Sequence, residues 1–497
     1  MNIKKTLAIS ASTIALAIVA TSTSALAERT DLSVGMVLEP EHLDPTAGAA
    51  AAIDEVVYAN VFEGLTRINE DGSVAPALAE SWEISDDGKV YTFKLRSGAK
   101  FHDGTDLDAG DVVFSLDRAR SGDSTNAQKA LFAAIESVEA VDPTTVTVTL
   151  SEAAGSFLYN MGWGDAVIVA PESADTNKEK PIGTGPFKFD RWSRGVSVDL
   201  VKSDDYWGDA PALEKVSFRF IADPAAATAA LQAGDVQAFP NFPAPEAIAA
   251  FEADPRFAVE IGSTEGETIL STNNAKPPFD NVLVRRAIAH AIDRQAIIDG
   301  AMFGLGTPIG THFAPHNAAY VDLTGQSAFD PEKARGLLAE AGFADGFSAT
   351  IKLPPPSYAR RGGEIVAAQL REVGIDLEII PVEWAQWLEQ VFRNKDYDLT
   401  IVSHTEPNDI GIYARDDYYF QYDNVVLEAV IEKLDRTADP DDRTALFAEA
   451  QQIVADDAVN GFLFQLAKSG VWDAKLEGLW ENSPVQANDM TKVRWTE

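Results

Sequence analysis

The strongest constraint on this chain is the regular exchange of strand-period and helix-period segments along nearly its whole length. After the turn Asp86-Asp87-Gly88, apolar side chains alternate at Tyr91, Phe93 and Leu95, the period-2 pattern of a half-buried strand. Asp223-Pro224 opens a helix in cap-then-proline order, alanines fill it and Gly234 stops it. Asp280 precedes a second helix in which Val284, Ala287, Ile288, Ala291 and Ile292 share one face. A third helix is expected over about 363–374, and Ile375, Leu377 and Ile379 then alternate as a strand. Trp384, Trp387, Leu388 and Val391 recur at i, i+3, i+4, i+7, the stripe of a fourth helix, and 399–402 is a short buried strand. Asp439-Pro440 begins a late helix with Leu446, Phe447, Ala450 and Ile453 inward. Such alternation specifies an α/β fold and not a helical bundle. Proline and glycine cluster at 276–278, 304–308 and 354–356 as loop punctuation, and no fixed-period repeat is present.

The first 27 residues stand outside this pattern. Lys4 and Lys5 precede an apolar stretch over 7–20 that is short for a bilayer span, and Ala25-Leu26-Ala27 is a small-residue cleavage signal. Residues 1–27 therefore read as a secretory signal peptide cleaved near Ala27, and the expected location is periplasmic. Cysteine is absent, which excludes a lipid-modified N-terminal cysteine, disulfides and thiolate metal sites. The remaining chain of about 470 residues is too long for one core, so two or three subdomains are expected.

Charge narrows the partners. The 77 acidic residues against 40 Lys and Arg give a formal charge of -37, and removing Lys4 and Lys5 takes it to -39. A surface of that sign repels phosphate backbones and anionic lipid, so nucleic acid is excluded as a partner. Hydrophobic residues make up 46% of the chain, enough for packed cores, so the acidity does not signal disorder.

Enzyme motifs are missing. Gly183-Thr184-Gly185-Pro186 lacks the spacing of a dinucleotide loop, and its proline cannot donate an N–H to a phosphate, so it reads as a turn. There is no Gly-x-Ser-x-Gly elbow and no His-Glu-x-x-His pair. His312 and His316 are spaced i, i+4 but sit in a loop bracketed by prolines, so no metal site or cofactor is expected. Ser403, His404 and Glu406 are too close along one strand-to-loop segment to converge as a catalytic triad. The segment over 403–422, SHTEPNDIGIYARDDYYFQY, follows a buried strand and so lies where α/β folds place ligands. Within it Glu406 and Asp409 are candidates for recognising a cation, while Tyr413, Tyr418, Tyr419, Phe420 and Tyr422 suit core packing or a pocket wall equally. Trp384 and Trp387 belong to the apolar stripe, and core packing suits at least one of them.

Four ordered stretches carry a family resemblance: residues 82–114 (WEISDDGKVYTFKLRSGAKFHDGTDLDAGDVVF), 181–207 (PIGTGPFKFDRWSRGVSVDLVKSDDYW), 273–294 (NNAKPPFDNVLVRRAIAHAIDR) and 374–388 (GIDLEIIPVEWAQWL). Together they resemble the landmarks of the peptide/nickel-type extracellular solute-binding proteins that serve ABC importers. The resemblance implies a two-lobed periplasmic binding protein fold with a hinge and an extra subdomain in lobe I. Lobe I would hold 28–265 plus 467–497, with the inserted subdomain at about 50–170, and lobe II would hold 266–466. It implies no enzyme activity, a monomer, and an inner-membrane ABC permease as partner. The ligand, a di- or oligopeptide or small amine-containing solute, would lie in the interlobe cleft. The alternatives are an opine, an oligosaccharide or a metal chelate, and an extracellular peptide hydrolase stands as a third reading.

In dipeptide-binding members an acid just after the strand equivalent to 399–402 receives the peptide ammonium, and ungapped counting from Arg360-Arg361 puts Glu406 there, with Asp409 beside it. Two positions depart from that pattern. Ser403 replaces the usual tryptophan, and Leu353 stands where an arginine receives the peptide carboxylate, which leaves Arg360, Arg361 or Arg415 for that role. The ligand-binding set implied is Glu406, Asp409, Ser403, His404, Tyr413, Tyr419, Trp384, Arg360 and Arg361.

Overall fold

The computed structural model describes residues 29–317, 319–406, 409–437 and 439–496; the expected signal peptide, 1–27, lies outside them. Eleven strands form the main sheet. Its order is Ile375–Pro381, Phe347–Leu353, Leu399–His404, Phe257–Thr272, Asn460–Asp473, Ala238–Phe239, Asp31–Met36, Lys215–Phe220, Ser197–Lys202 and Phe187–Ser193, with Thr307–Pro308 pairing Asn460–Asp473 off that path. Parallel pairs occur on both sides: Asp31–Met36 with Lys215–Phe220, and Phe347–Leu353 with Ile375–Pro381 and Leu399–His404.

The two long strands join the lobes. Phe257–Thr272 and Asn460–Asp473 are antiparallel, in register from Phe257 opposite Asp473 to Ser263 opposite Ala467, and again from Glu267 opposite Gln465. The register shifts between Ser263 and Glu267, an irregularity of the kind that bends a strand and redirects its side chains. On one side of it Leu231, Phe239, Phe242 and Phe251 pack with Val471. On the other, Ile288, Ile297, Ile351, Val366 and Leu399 form a separate core. A third core lies under a four-stranded antiparallel sheet ordered Ala79–Ile84, Val90–Leu95, Thr145–Leu150, Ile135–Asp142. The fold is thus two α/β lobes on shared hinge strands, with an antiparallel subdomain beside the first. Among the described residues no helix is long and apolar enough to cross a membrane.

Local chemistry explains most elements. Asp223 accepts from Ala226 N at the start of helix Pro224–Ala233, and Gly234 closes it at φ +78°, the left-handed cap that glycine adopts without strain. Asp439 likewise caps Pro440–Asp456 by accepting from Asp441 N and Asp442 N. The second helix, Val282–Ala291, follows Asp280 and is capped by Asn281. Two expectations are corrected. The third begins at Ser357 and runs to Glu372, straight through Gly362-Gly363. Those glycines serve packing: a Cβ on Gly363 would stand 2.3 Å from Leu353 Cδ1, so the residue lets the helix lie close on the strand. The fourth is one short α-turn, Trp384–Trp387, that widens to π spacing over Leu388–Arg393 and still buries Trp387, Leu388 and Val391. Gly183 and Gly185 form a turn pressed onto backbone, where Cβ atoms would lie 2.0 Å from Val61 O and 2.4 Å from Asn60 O.

Candidate ligand-binding cleft

Between the lobes lies a cleft of about 290 Å3. Strand Leu399–His404 delivers one wall: Val402, Ser403, His404 and then Thr405 and Glu406 line the space. Residues of the opposite lobe face them, including Met36, Leu38, Glu55 and Phe242. Gln486 Nε2 donates to Thr405 Oγ1 at 2.9 Å, tying the C-terminal tail to the loop that carries Glu406.

Glu406 is positioned by its neighbours. Its Oε2 accepts from Thr405 N at 3.0 Å and lies 3.6 Å from His404 Nδ1. His404 Nε2 in turn meets the Tyr419 hydroxyl at 2.8 Å, and Tyr419 is held through its carbonyl by Tyr397 at 3.0 Å. Burial alone raises the Glu406 carboxyl, but the neighbouring His404 imidazole and the Thr405 N–H outweigh it and leave the group below its ordinary value. Glu406 is therefore an anion at neutral pH, fixed on the cleft wall.

The rest of that wall is aromatic. Trp384 and Trp387 stack at 5.0 Å and 4°, and Phe392 and Tyr418 extend the surface, with rings 5.8 Å apart. Trp387 Nε1 is spent on Thr400 Oγ1 at 2.9 Å, whereas Trp384 Nε1 and Ser403 Oγ have no partner among the described residues. Both are buried polar atoms left without a hydrogen bond, on residues that line the cleft. Arg415 is the cleft-lining cation, 5.0 Å above the Tyr418 ring and 3.6 Å from Asp417.

The residues singled out in the sequence separate into groups. Glu406, Ser403, His404 and Trp384 line the cleft. Tyr413 and Tyr419 do not: they are 2% and 1% exposed and pack behind the wall, Tyr413 stacking on Phe420 at 5.1 Å. Arg360 turns to Val382 O and Glu383 at 3.2 and 3.3 Å, and Arg361 pairs with Glu246, neither lining the cleft. Asp409 lies 2.8 Å from His312 Nε2. The Leu353 side chain is 1% exposed in the second lobe's core, so no cation reaches the cleft from that position.

Asp409 belongs to the one set of metal-ligating atoms that converges within 4.8 Å among the described residues, Glu267, His312 and Asp409. His312 spans its two acids with opposite ring nitrogens, Nδ1 3.2 Å from Glu267 and Nε2 2.8 Å from Asp409. A single ion would take only one of those nitrogens, and of the two contacts only that with Asp409 is a hydrogen bond, His312 Nδ1 and Glu267 Oε1 having no partner among the described residues. The bond ties the His312 loop to the loop after Leu399–His404.

Sequence reasoning missed Glu55 and the two acids near it, Asp54 and Asp165. Burial, opposed by Asn241 and Lys468, pushes Glu55 up to about 7. Nothing in the sequence marks these three among 77 acids; only the fold brings them together.

The family model for the middle region of the bacterial extracellular solute-binding proteins, family 5, matches residues 73–424. The glutathione-binding protein GsiB of Salmonella paratyphi A is 31% identical over 435 residues, 83% of this chain and 84% of that protein. The solved periplasmic binding protein DppA of Helicobacter pylori in complex with the peptide STSA superposes with a TM-score of 0.86 at 26% identity, over 94% of this chain and 98% of that one. The binding protein AgaA of A. tumefacien R10 in complex with agropinic acid gives 0.85 at 25% identity over 94% and 99%. With a hinged pair of α/β lobes, a cleft between them and a family match over most of its length, this chain belongs to the family 5 bacterial extracellular solute-binding proteins.

Proposed function

We propose that this protein captures a peptide or small amine-containing solute in the interlobe cleft, holds its positive group on Glu406, and passes it unaltered to an inner-membrane ABC permease. One observation carries the reading: a carboxylate kept ionised by His404 and the Thr405 N–H at the point where both lobes line the cleft. A ligand gripped there touches both lobes, which closure requires, because a ligand held by one lobe alone shifts no open-to-closed equilibrium. The likeness to a peptide complex and to a glutathione-binding protein supports the same class. We take lobe I as 28–265 plus 467–497, with the inserted subdomain at about 50–170, lobe II as 266–466, the working form as a periplasmic monomer, and the leader as removed near Ala27.

The protein is proposed to bind without turnover. Ser403 Oγ has no base beside it, since His404 is engaged by Tyr419 on one ring nitrogen and faces Glu406 with the other. Mass spectrometry of whatever accompanies the purified protein tests the ligand class; an amine-bearing peptide or small amine is expected, and a recovered neutral sugar would end this reading. The stacked Trp384–Trp387 pair and the loss of an arginine at Leu353 favour, as a second reading, a non-peptide solute such as an opine, which the same spectrum would identify. Incubation with a peptide library is expected to leave every peptide intact, and cleavage abolished by Ser403→Ala would overturn pure binding.

A further inference from the structure

Among the described residues that line the cleft, Arg415 is the single lysine or arginine, and it stands on the same segment as Glu406. Local backbone puts it there. After the short 3-10 turn Ile410–Ala414, Tyr418 N donates to Arg415 O at 3.0 Å, and this turn lays the guanidinium 5.0 Å from the centre of the Tyr418 ring. Tyr418 itself lines the cleft and packs on Phe392, 5.8 Å away, and on His404, 6.1 Å away. His404 is the residue that fixes Glu406. An anion and a cation thus share one aromatic wall, joined through Tyr418.

The Arg415 side chain is held without being spent. Its guanidinium donates no hydrogen bond among the described residues, and its ion pair is with Asp417, 3.6 Å from Nε and 80% exposed, a contact that water screens. Arg360 and Arg361 use their donors on Glu383 and Glu246, and Leu353 brings no cation, so this one fork is left for an anion in the cleft. A planar guanidinium resting on a ring offers parallel N–H donors of the geometry a carboxylate accepts. The charge of the whole molecule says what else the ligand carries. At -37 the protein repels a simple anion. A solute with both an amine and a carboxylate is neutral as a whole and meets each charge locally, the first at Glu406 and the second at Arg415.

We propose that Arg415 receives a carboxylate of the ligand while Glu406 holds its amine, so that the solute is a zwitterion whose body lies over Tyr418 and Phe392, and an amine without an acid group is refused. The inference rests on the reading that Glu406 takes a positive group, and it names the class of solute. Both charges are then met from lobe II, and lobe I faces the ligand's body with Met36, Leu38 and Phe242. A short peptide with a free C-terminus and an opine share that chemistry.

Calorimetric titration of the mature protein tests it with Ala-Phe, Ala-Phe-Ala and Ala-Phe-Ala-Ala, each as the free acid and as the C-terminal amide, and with phenethylamine and octopine. An amide differs from its acid by the carboxylate alone, and its net positive charge is favoured by the acidic surface, so a preference for the acid has to come from a local cation. At the peptide length that binds, the acid is expected to be tighter than the amide by about tenfold or more. Arg415→Gln should bring acid and amide within about twofold of each other, and Arg415→Lys should keep part of the difference. Octopine bound without any peptide, and lost in Arg415→Gln, supports the proposal with a non-peptide source. Equal affinity for acid and amide in the unaltered protein, or phenethylamine bound as tightly as the acids, overturns the carboxylate subsite and leaves amine capture standing. A preference that persists in Arg415→Gln overturns the part given to Arg415. Absence of heat with every compound removes both readings. Since acid and amide are first compared on the unaltered protein, a variant that fails to fold does not shield the proposal.

Discussion

Removing Arg361 tests the clamp itself without touching the cleft. Its guanidinium gives Glu246 two hydrogen bonds, Nη1 to Oε2 at 2.9 Å and Nη2 to Oε1 at 2.8 Å, the planar fork geometry that an arginine and a carboxylate share. Arg361 lies on helix Ser357–Glu372, whose inner face packs in the second lobe, whereas Glu246 follows Pro245 in the turn that packs on Phe242 and Ile248 of the first. The pair therefore exists only while the lobes are together. The two side chains are 37% and 34% exposed, so water screens them, and a pair of this kind is worth ~0.5–1 kcal/mol. All of that difference falls on the closed state. Arg361→Ala should thus lower the closed-to-open ratio, and with it the ligand affinity, by about 2- to 5-fold. Titration calorimetry reads the affinity and small-angle scattering reads the opening. Arg361 also lies 5.6 Å from the centre of the Phe303 ring in its own lobe, so a charge swap is the control. Arg361→Glu alone should weaken binding further, and adding Glu246→Arg should restore most of it. Affinity and scattering profile both unchanged in Arg361→Ala, or no recovery in the swap, would refute the view that these charges hold the lobes shut.

Further expectations follow from single groups. Glu406→Gln should weaken binding by about 1–3 kcal/mol, roughly 5- to 150-fold, through loss of a charge-assisted contact; an unchanged calorimetric affinity would remove Glu406 from the site. Burial raises Glu55 and Glu63 to about 7, Glu63 despite bonds from Trp207, Thr184 and Tyr206. A carboxyl whose folded value exceeds its unfolded one binds an extra proton in the fold, so stability is full below the unfolded value and is lost as pH climbs through the folded one. The ligand-free melting temperature should therefore fall between pH 6.5 and pH 8, above the range in which buried His102, lowered to about 4, gives the opposite slope, and Glu63→Gln should flatten the fall; a rise over that interval contradicts the assignment. The depressed carboxyls of Glu246 and Asp398 act below about pH 4, outside this window. Gly183→Ala sets a Cβ 2.0 Å from the Val61 carbonyl, backbone against backbone, and should cost about 1–3 kcal/mol in denaturant unfolding.

Elements whose ends are written in side-chain chemistry were legible in the sequence. Asp223 and Asp439 announce their helices because a cap's hydrogen bond is local. The helix Ser357–Glu372 starts earlier than the sequence suggests, because glycines near a proline run look like a break, and only the packing of Gly363 against Leu353 reveals their purpose. Position after a buried strand located the cleft loop, and Glu406, Ser403 and His404 do line the space. The same rule cannot divide the aromatics that follow: Tyr418 faces the cleft while Tyr413 and Tyr419 lie behind it, since burial suits a tyrosine in either place. From sequence Arg361 suits a ligand contact, because a cation beside a cleft loop fits either role. Its partner, Glu246, is 115 positions away, and such pairings are set by tertiary structure alone.

The charges sort by position in a way that makes closure conditional. At the rim, opposite signs meet across the lobes: Arg361 with Glu246, and Arg393 Nη2 with Glu41 Oε2 at 3.2 Å. Inside, like signs meet: Glu55 lines the cleft from one lobe and Glu406 from the other. Two exposed rim pairs contribute about 1–2 kcal/mol together, an amount that buried repulsion among unpaired carboxylates can cancel. An empty clamp built this way sits near balance between open and closed. A positive ligand removes the repulsion and leaves the rim attraction unopposed, so it is bound and enclosed in one step. A neutral solute of the same size gains the aromatic wall of Trp384 and Phe392 but leaves the inner acids facing one another, and its binding should be accompanied by proton uptake instead. Comparing heats of binding in buffers of different ionisation enthalpy separates the two: the charged ligand should release a proton from Glu55, which burial raises to about 7, and uptake with that ligand would show that the inner acids are not where its charge resides.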